Sequence, residues 1–176
     1  VIEKWFNDGK YVPYSNEELF KVILWAKERI EPYWRITRIF RDIPIDNICG
    51  GATVPNMREN LKKMLRRPCK CIRCREVKDN VVDPKNIHFV QRNFISSFSR
   101  EFFLSYESKT KQDKLIHGFL RLRLPTDQDV SYVRELHVYG NVAPTYMKGK
   151  NVSNNQHKGF GKRLLGIAEW IAFIYC

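Results

Sequence analysis

The fold is decided by two adjoining segments, Tyr132-Val-Arg-Glu-Leu-His-Val-Tyr139 and Gln156-His-Lys-Gly-Phe-Gly-Lys-Arg-Leu-Leu165. The first alternates apolar and polar side chains, which predicts a β-strand. The second places Gly159 and Gly161 directly before an apolar run, which predicts a glycine loop that opens a helix. Backbone N–H groups at a helix start donate to anions, and the helix dipole favours negative charge there. The pattern therefore predicts a pyrophosphate-binding loop that follows a strand.

Further strands are predicted on the N-terminal side of this stretch. Alternating or apolar runs with short turn-like links occur at residues 87–93, 101–107, 114–124 and 131–139. Links of this length favour an antiparallel meander. Residues 36–43 alternate apolar side chains with arginines and also predict a strand, whereas residues 141–155 are polar and predict a loop.

Two helices are predicted in the first part of the chain. Ser15 and Glu18 have the spacing of a capping box, and Pro32 ends the helical pattern that follows. Its predicted apolar stripe consists of Leu19, Val22, Ile23, Ala26 and Ile30. Asn56 and Glu59 predict a second capping box, followed by a stripe of Met57, Leu61, Met64 and Leu65. Both stripes predict core packing.

The composition predicts a folded, basic protein. The chain has 176 residues, 43% of them hydrophobic, and a net charge of +12. This content suffices for a core, and no apolar run approaches the roughly 20 residues of a membrane span, so no membrane partner is expected. Because the chain begins with Val1 and has no signal peptide, we expect a piece of a longer protein.

The positive charge is concentrated, which favours RNA phosphate as a partner over mere solubility. The predicted phosphate-binding residues are Arg38, Arg41, Arg66, Arg67, Lys70, Arg73 and Arg75. Tyr11, Tyr14 and Trp34 could stack on bases beside them. Aromatic residues that flank a helix are more often part of the core, so packing is the favoured interpretation of these three.

Cys69, Cys71 and Cys74 have the close spacing of a metal knuckle, and zinc is the predicted ion. Without a secretory signal, a reduced thiol cluster is favoured over disulfides. Three ordinary thiols, or an iron–sulfur cluster with an outside ligand, stay open as alternatives. His88 is a candidate fourth zinc ligand, although a strand residue is the more frequent role for such a histidine. Cys49 and Cys176 belong to no motif.

A series of motifs resembles one known family. The glycine loop resembles the acetyl-CoA loop of the GCN5-related N-acetyltransferase superfamily. The ordered series Arg38-Ile-Phe-Arg-Asp-Ile-Pro44, Asn56-Met-Arg-Glu59, Cys69-Lys-Cys-Ile-Arg-Cys-Arg-Glu-Val77, Phe103-Leu-Ser-Tyr-Glu107, Gly118-Phe-Leu-Arg-Leu-Arg123, Val133-Arg-Glu-Leu-His-Val-Tyr-Gly140 and Gln156-His-Lys-Gly-Phe-Gly161 resembles the catalytic subunit of Elongator, the tRNA uridine(34) acetyltransferases.

The resemblance implies an α+β architecture in three parts. Residues 1–51 would be the C-terminal edge of a radical S-adenosylmethionine (SAM) α/β barrel, and residues 52–80 a basic helix with a zinc-binding linker. Residues 81–176 would be the N-terminal half of an N-acetyltransferase fold. The family's 4Fe-4S cysteines lie upstream in the barrel and have no counterpart here. The implied zinc ligands are Cys69, Cys71 and Cys74.

The resemblance also implies a function. Acetyl-CoA and SAM would be used to form a carboxymethyl-type modification at wobble uridine 34 of tRNA, with zinc as a structural ion and with residues of unknown identity as catalysts. The implied acetyl-CoA contacts are Glu135, Leu136, His137, Val138, Gln156, His157, Lys158, Gly159, Phe160, Gly161 and Lys162. Glu135 and His137 share one face of their strand, either as a wall of the cofactor cleft or as a cross-strand polar pair. The implied partners are tRNA and, in eukaryotes, other Elongator subunits; the implied location is cytoplasmic, with a nuclear one also open.

Two other functions fit part of the pattern. A protein-lysine acetyltransferase, such as one acting on histones, would need an acidic groove for its cationic substrate, which a strongly basic chain disfavours. A non-catalytic zinc and RNA-binding module would bind RNA without binding CoA.

Overall fold

A computed structural model of the chain describes residues 1–39, 43–78, 80, 82–109, 114–140 and 159–175. The chain divides into two compact units, residues 1–74 and 75–176. Helices and one antiparallel sheet are both present, which confirms the predicted α+β class. The finer division at residues 51 and 80 stays a prediction.

The first unit contains the helices α1 (Ile2–Asn7), α2 (Asn16–Arg29) and α3 (Met57–Met64), and the short α4 (Ile72–Arg75) begins within it. The predicted capping box of α2 is confirmed: Glu18 N donates to Ser15 Oγ at 3.3 Å, and Ser15 N donates to Glu18 Oε2 at 2.9 Å. The second predicted capping box is wrong. Asn56 adopts a left-handed conformation with φ 51°, and its side chain makes no capping hydrogen bond to α3.

The buried face of α2 is rotated from the predicted stripe. Val22 is 59% exposed, whereas Lys27 is 1% exposed and Ile30, at the end of the helix, is 6% exposed. The core here consists of Ile30, Cys69 and Cys71, with Ile36, Leu65 and Cys74 packed against them. The cysteine loop is thus part of the core of this unit.

The predicted strand at residues 36–43 is wrong over the described residues 36–39, which form none. Arg58 Nη2 donates to Ile36 O at 2.8 Å and to Thr37 O at 3.4 Å. A side chain therefore satisfies backbone carbonyls that a neighbouring strand would otherwise bind.

The second unit is built on a four-stranded antiparallel sheet in the order β1-β2-β3-β4. The strands are β1 (Ile87–Ser96), β2 (Ser99–Lys109), β3 (Lys114–Pro125) and β4 (Tyr132–Val138). Each strand pairs with the next along the chain, which confirms the predicted meander. Among the described strands, β4 lies at an edge and pairs only with β3.

Helix α5 (Phe160–Tyr175) covers one face of this sheet. The buried core between them consists of Leu164, Ala168 and Ile171 of α5 and Phe102, Leu104, Leu120, Leu122 and Leu124 of the sheet. Leu136 is opposite Leu120 in register, and Val138 is opposite Gly118. Since side chains alternate along a strand, Leu136 and Val138 share the face that carries α5, and Glu135 and His137 lie on the other face.

Candidate functional site

The sulfur atoms of Cys69, Cys71 and Cys74 all lie within 4.8 Å of one another. Cys69 is 6% exposed and Cys71 is fully buried. Two backbone hydrogen bonds fix the loop that carries them: Ile72 N donates to Trp34 O at 3.0 Å, and Cys74 N donates to Cys71 O at 3.1 Å. Three thiol groups therefore converge on one point in a buried and braced loop.

Two cations converge on one of these sulfurs. Lys27 Nζ donates to Cys74 Sγ at 3.5 Å, and Arg58 Nη1 approaches the same sulfur at 4.0 Å. The pKa of the Cys74 thiol lies well below its usual range, because the thiols of Cys69 and Cys71 donate hydrogen bonds to its sulfur and the Lys27 ammonium stands beside it. This shift favours the thiolate form of Cys74, which is the form that binds metal ions.

The donor set fits a single zinc ion. Zinc–thiolate bonds of about 2.3 Å in a tetrahedron hold sulfurs about 3.8 Å apart, so a spread of up to 4.8 Å closes onto one ion with small movements. In a 4Fe-4S cluster each cysteine binds a different iron, which spaces the sulfurs more widely. Three thiolates and one zinc ion carry a net negative charge, and Lys27 offsets it.

Among the described residues, no fourth His, Cys, Asp or Glu side chain belongs to the cluster of the three cysteines. His88 lies on β1, where it is exposed and is paired in register with Glu107. Its proposed role as a ligand stays a prediction.

Most of the predicted phosphate-binding residues are on the surface. Arg38, Arg66, Arg67, Lys70 and Arg73 are exposed, and Arg41 lies outside the described residues. Arg75 differs because it is 5% exposed and its Nη1 lies 3.0 Å from Glu107 Oε2. A guanidinium buried in an ion pair is not presented to RNA, so the structure contradicts a phosphate-binding role for Arg75.

Glu107 is the centre of this buried network. It accepts hydrogen bonds from Arg92 Nη1 at 2.6 Å, Arg92 Nη2 at 3.1 Å and Ser105 Oγ at 2.9 Å, in addition to the Arg75 contact. Burial alone would raise the pKa of this carboxyl, but the hydrogen bond from Arg92 and the charges of Arg75 and Arg92 hold it below the usual range. The network is a structural element of the sheet.

The start of α5 meets the C-terminal end of β4. A Cβ atom added to Gly161 would lie 3.6 Å from Val138 Cγ2, and no heavy atom of the described residues would lie within 4 Å of a Cβ at Gly159. Gly159 has a φ of +81°, a conformation that L side chains rarely adopt. The open space at this helix start fits a pyrophosphate group, whose oxygens the first N–H groups of α5 would bind.

Gly118 lets β4 lie close to β3 at the same end. A Cβ atom there would lie 3.1 Å from His137 O and 3.4 Å from Val138 Cγ2. The approach of the two strands at this point therefore depends on a residue without a side chain, and it was not anticipated from the sequence.

The other predicted acetyl-CoA contacts occupy different environments. Glu135 Oε2 lies 3.2 Å from Arg121 Nε, and the His137 ring packs 4.4 Å from that of Tyr139. Phe160 is buried, and its ring centroid lies 4.8 Å from that of Tyr106, so its side chain packs the start of α5 against the sheet. Leu136 is 41% exposed, Lys162 is exposed on the first turn of α5, and residues 156–158 lie outside the described residues. Glu135 and Arg121 form the cross-strand polar pair that was one of the two interpretations.

The favoured interpretation of three aromatic residues is wrong. Tyr11 is 42%, Tyr14 68% and Trp34 53% exposed. None of the three is part of the core as described, which leaves their rings available for contact.

Comparison with known proteins extends over nearly the whole chain. Residues 1–67 match the Radical_SAM C-terminal domain family. The tRNA uridine(34) acetyltransferase of Methanocaldococcus jannaschii is 39% identical over 98% of this chain and 34% of its own length. Elongator complex protein 3 of Homo sapiens is 36% identical over 98% of this chain and 33% of its own length. The chain thus spans about a third of the length of these relatives.

Over nearly its whole length the chain is similar to proteins named tRNA uridine(34) acetyltransferase and Elongator complex protein 3. A solved structure, the archaeal Methanocaldococcus infernus Elp3 with an N-terminal deletion, matches 97% of this chain and 43% of its own with a TM-score of 0.77 and 36% identity. The resemblance inferred from the motif series is therefore confirmed for the Elongator complex protein 3 family. Within the described part of the chain, no helix is long and apolar enough to cross a membrane.

Proposed function

We propose that the chain forms part of an acetyl-CoA-dependent enzyme that modifies the wobble uridine of tRNA. The observation that carries this proposal is the meeting of β4 with the start of α5, with Val138 Cγ2 3.6 Å from the position of a Gly161 Cβ. The edge strand offers backbone N–H and C=O groups, and the helix start offers N–H groups. One extended ligand could therefore bind to both elements. The names of the relatives support the choice of tRNA uridine as substrate.

Acetyl-CoA would lie along this junction. Its pyrophosphate would accept hydrogen bonds from the first N–H groups of α5, assisted by the helix dipole and by the exposed Lys162. The outer edge of β4 would pair with the amides of the pantetheine arm, as an added strand would. Neither contact needs a charged catalytic group, so the role of these residues is binding and orientation.

The cysteine cluster would hold a structural zinc ion. A metal that binds three side chains of one short loop couples its own binding energy to the folding of that loop. By this proposal zinc fixes the loop that carries Lys70 and Arg73 and takes no part in acetyl chemistry.

The radical part of the reaction would require metal-binding groups beyond those found among the described residues. In the described residues, the three cysteines are the one cluster of metal-binding side chains, and their spacing fits a single ion rather than a 4Fe-4S cluster. The cluster with SAM would supply the radical that joins the acetyl unit to the uridine.

Exposed cations of the first unit would bind the tRNA backbone. Arg38, Arg66, Arg67, Lys70 and Arg73 are exposed, and guanidinium groups bind phosphate through two parallel hydrogen bonds. By this proposal the protein acts in the cytoplasm.

The test is transfer of labelled acetyl groups by the intact protein in the presence of either tRNA or histone. Incorporation into tRNA alone is expected, and incorporation into histone alone would replace this function with lysine acetylation. Calorimetric titration with CoA separates both from a non-catalytic RNA-binding module, which would bind tRNA and give no heat with CoA.

The RNA surface has its own test. Reversal of Arg66 and Arg67 to Glu should weaken tRNA binding and flatten its dependence on salt, because fewer counterions are released when fewer phosphates are neutralised. Reversal of Lys10, an exposed cation outside the cluster that lies 3.6 Å from Asp8, is the control. An unchanged salt slope in the double variant would show that Arg66 and Arg67 only solvate the surface.

A further inference from the structure

Trp34 is a large aromatic residue held at the surface beside the cysteine loop. Its side chain is 53% exposed. Its backbone is fixed on both sides: Trp34 N donates to Glu31 O at 3.1 Å, and Trp34 O accepts from Ile72 N at 3.0 Å. The ring of Tyr33 stands nearly perpendicular to it, at 83° and 6.3 Å between centroids, which braces the indole without stacking on it.

The hydrogen bond to Ile72 joins the backbone of Trp34 to the segment that carries Lys70 and Arg73. Ile72 is fully buried, and the exposed Lys70 and Arg73 lie two residues before it and one residue after it. The backbone of Trp34 is therefore adjacent to a short segment in which the buried Ile72 lies between two exposed cations, Lys70 and Arg73. Proteins bind unpaired nucleotides with exposed aromatic rings and nearby cations, since the base stacks on the ring and the cations bind the phosphates.

We propose that Trp34 is a stacking platform for an unpaired RNA base, with Lys70 and Arg73 as contacts for the adjoining phosphates. This inference rests on the proposed binding of RNA and deepens it, because it adds recognition of a base in a single-stranded region to contact with the phosphate backbone. A duplex keeps its bases stacked on each other and offers no face to the indole. The surface therefore selects single-stranded over double-stranded RNA.

Trp25 provides a matched control. It belongs to the same unit and is 59% exposed, so it resembles Trp34 in accessibility. The guanidinium of Arg29 lies over its ring, 4.6 Å from the centroid, and Arg29 Nη1 donates to Trp25 O at 3.3 Å. One face of that ring is already covered, so a base gains less by stacking on it.

The experiment measures binding of a short single-stranded oligoadenylate and of an RNA duplex of equal charge to the intact, metal-loaded protein. Trp34→Ala should weaken oligoadenylate binding about tenfold or more while the salt slope stays unchanged, because stacking releases no counterions. Trp34→Phe should restore most of the affinity. Duplex binding should change little in either variant, and Trp25→Ala should bind both RNAs as the unmodified protein does.

A direct readout uses fluorescence. In a variant in which Trp5, Trp25 and Trp170 are replaced by Phe, oligoadenylate should quench Trp34 emission and the duplex should not. Equal oligoadenylate affinity in Trp34→Ala and the unmodified protein overturns the proposal, as does a failure of Trp34→Phe to restore binding while its zinc content is normal. These outcomes differ from failure of the phosphate surface, which is read from the salt slope of the Arg66 and Arg67 variant.

Discussion

The cysteine cluster and the glycine-containing start of α5 differ in the groups that form them. The first consists of buried side chains that carry charge, with Lys27 3.5 Å from the Cys74 sulfur. The second consists of backbone, and a Cβ at Gly159 would meet no atom of the described residues within 4 Å. A site of buried charges fails when a group is removed, because its partners are left uncompensated. A site of backbone donors fails when atoms are added.

The largest effect is expected at the metal itself. Cys71→Ser removes a fully buried sulfur, so the zinc content should fall from one ion per chain toward none. The free energy of unfolding of the first unit should drop by several kcal/mol, because metal binding and folding are coupled there. Elemental analysis and chemical denaturation measure the two quantities, with Cys49→Ser, at an exposed cysteine outside the cluster, as the control. Absence of zinc from carefully purified unmodified protein would refute the metal site.

Glu107 tests whether the same rule holds for buried charge without a metal. Glu107→Gln leaves the buried Arg75 without its anion and should lower the free energy of unfolding by about 3–5 kcal/mol at neutral pH. The pKa of this carboxyl is lowered on folding, so its stabilising contribution is present above its unfolded value of about 4.5 and is lost as the pH falls through the folded value. The unmodified protein should therefore lose stability on acidification more steeply than the variant. Parallel acid profiles in urea denaturation would contradict the assigned ion pairs.

Lys27 separates the charge of the cysteine site from its ligands. Lys27→Met keeps a similar volume but removes the ammonium that faces the Cys74 sulfur, and zinc affinity should fall about 10- to 100-fold, as for other groups that support metal ligands. Competition with a chromophoric chelator measures this affinity. Lys21→Met, at an exposed position of the same helix, should leave it unchanged. Equal zinc affinity in the two variants would mean that Lys27 is only a packing residue.

The smallest effects are expected at the start of α5, where they should follow the size and charge of what is added. Gly161→Asp places an anion beside the expected pyrophosphate and should weaken CoA binding about tenfold or more. Gly161→Ala should cost less because its Cβ would meet Val138 at an ordinary contact distance of 3.6 Å, and Lys162→Ala should be mildest since the backbone donors remain. Calorimetry with CoA ranks the three, with tRNA affinity as the control. Unaltered CoA binding by Gly161→Asp would remove the main physical support for the acetyltransferase assignment.

Local patterns predicted the fold where neighbouring residues decide it. Alternation in Phe119-Leu-Arg-Leu-Arg-Leu124 identified β3, and the Ser15 and Glu18 spacing identified the start of α2, because both signals lie within a few residues. The second capping box failed because Asn56 tolerates the left-handed conformation, in which it does not cap the helix. The predicted strand failed over the described residues 36–39, where Arg58 binds the carbonyls of Ile36 and Thr37.

Spacing also identified the three cysteines, but not what surrounds them. Lys27 lies 47 residues before Cys74 along the chain, and no local pattern links them. One signal was present: Lys27 follows Ile23 by four residues and precedes Ile30 by three, which puts a lysine on the face of α2 that is buried. The partner of Arg75 was likewise invisible, because Glu107 becomes its neighbour only when the sheet forms.

The position of β4 at the edge of the described sheet has a consequence for how the protein behaves in solution. An edge that suits the amides of a pantetheine arm suits the backbone of any other extended chain equally well. Val133 is 46% exposed and Leu136 41%, so apolar surface accompanies this edge, while Arg134 and Glu135 add charges that discourage self-pairing. Protein without a bound cofactor should therefore be more prone to associate edge to edge. A cofactor bound along β4 would cover this edge and help to keep the protein in solution.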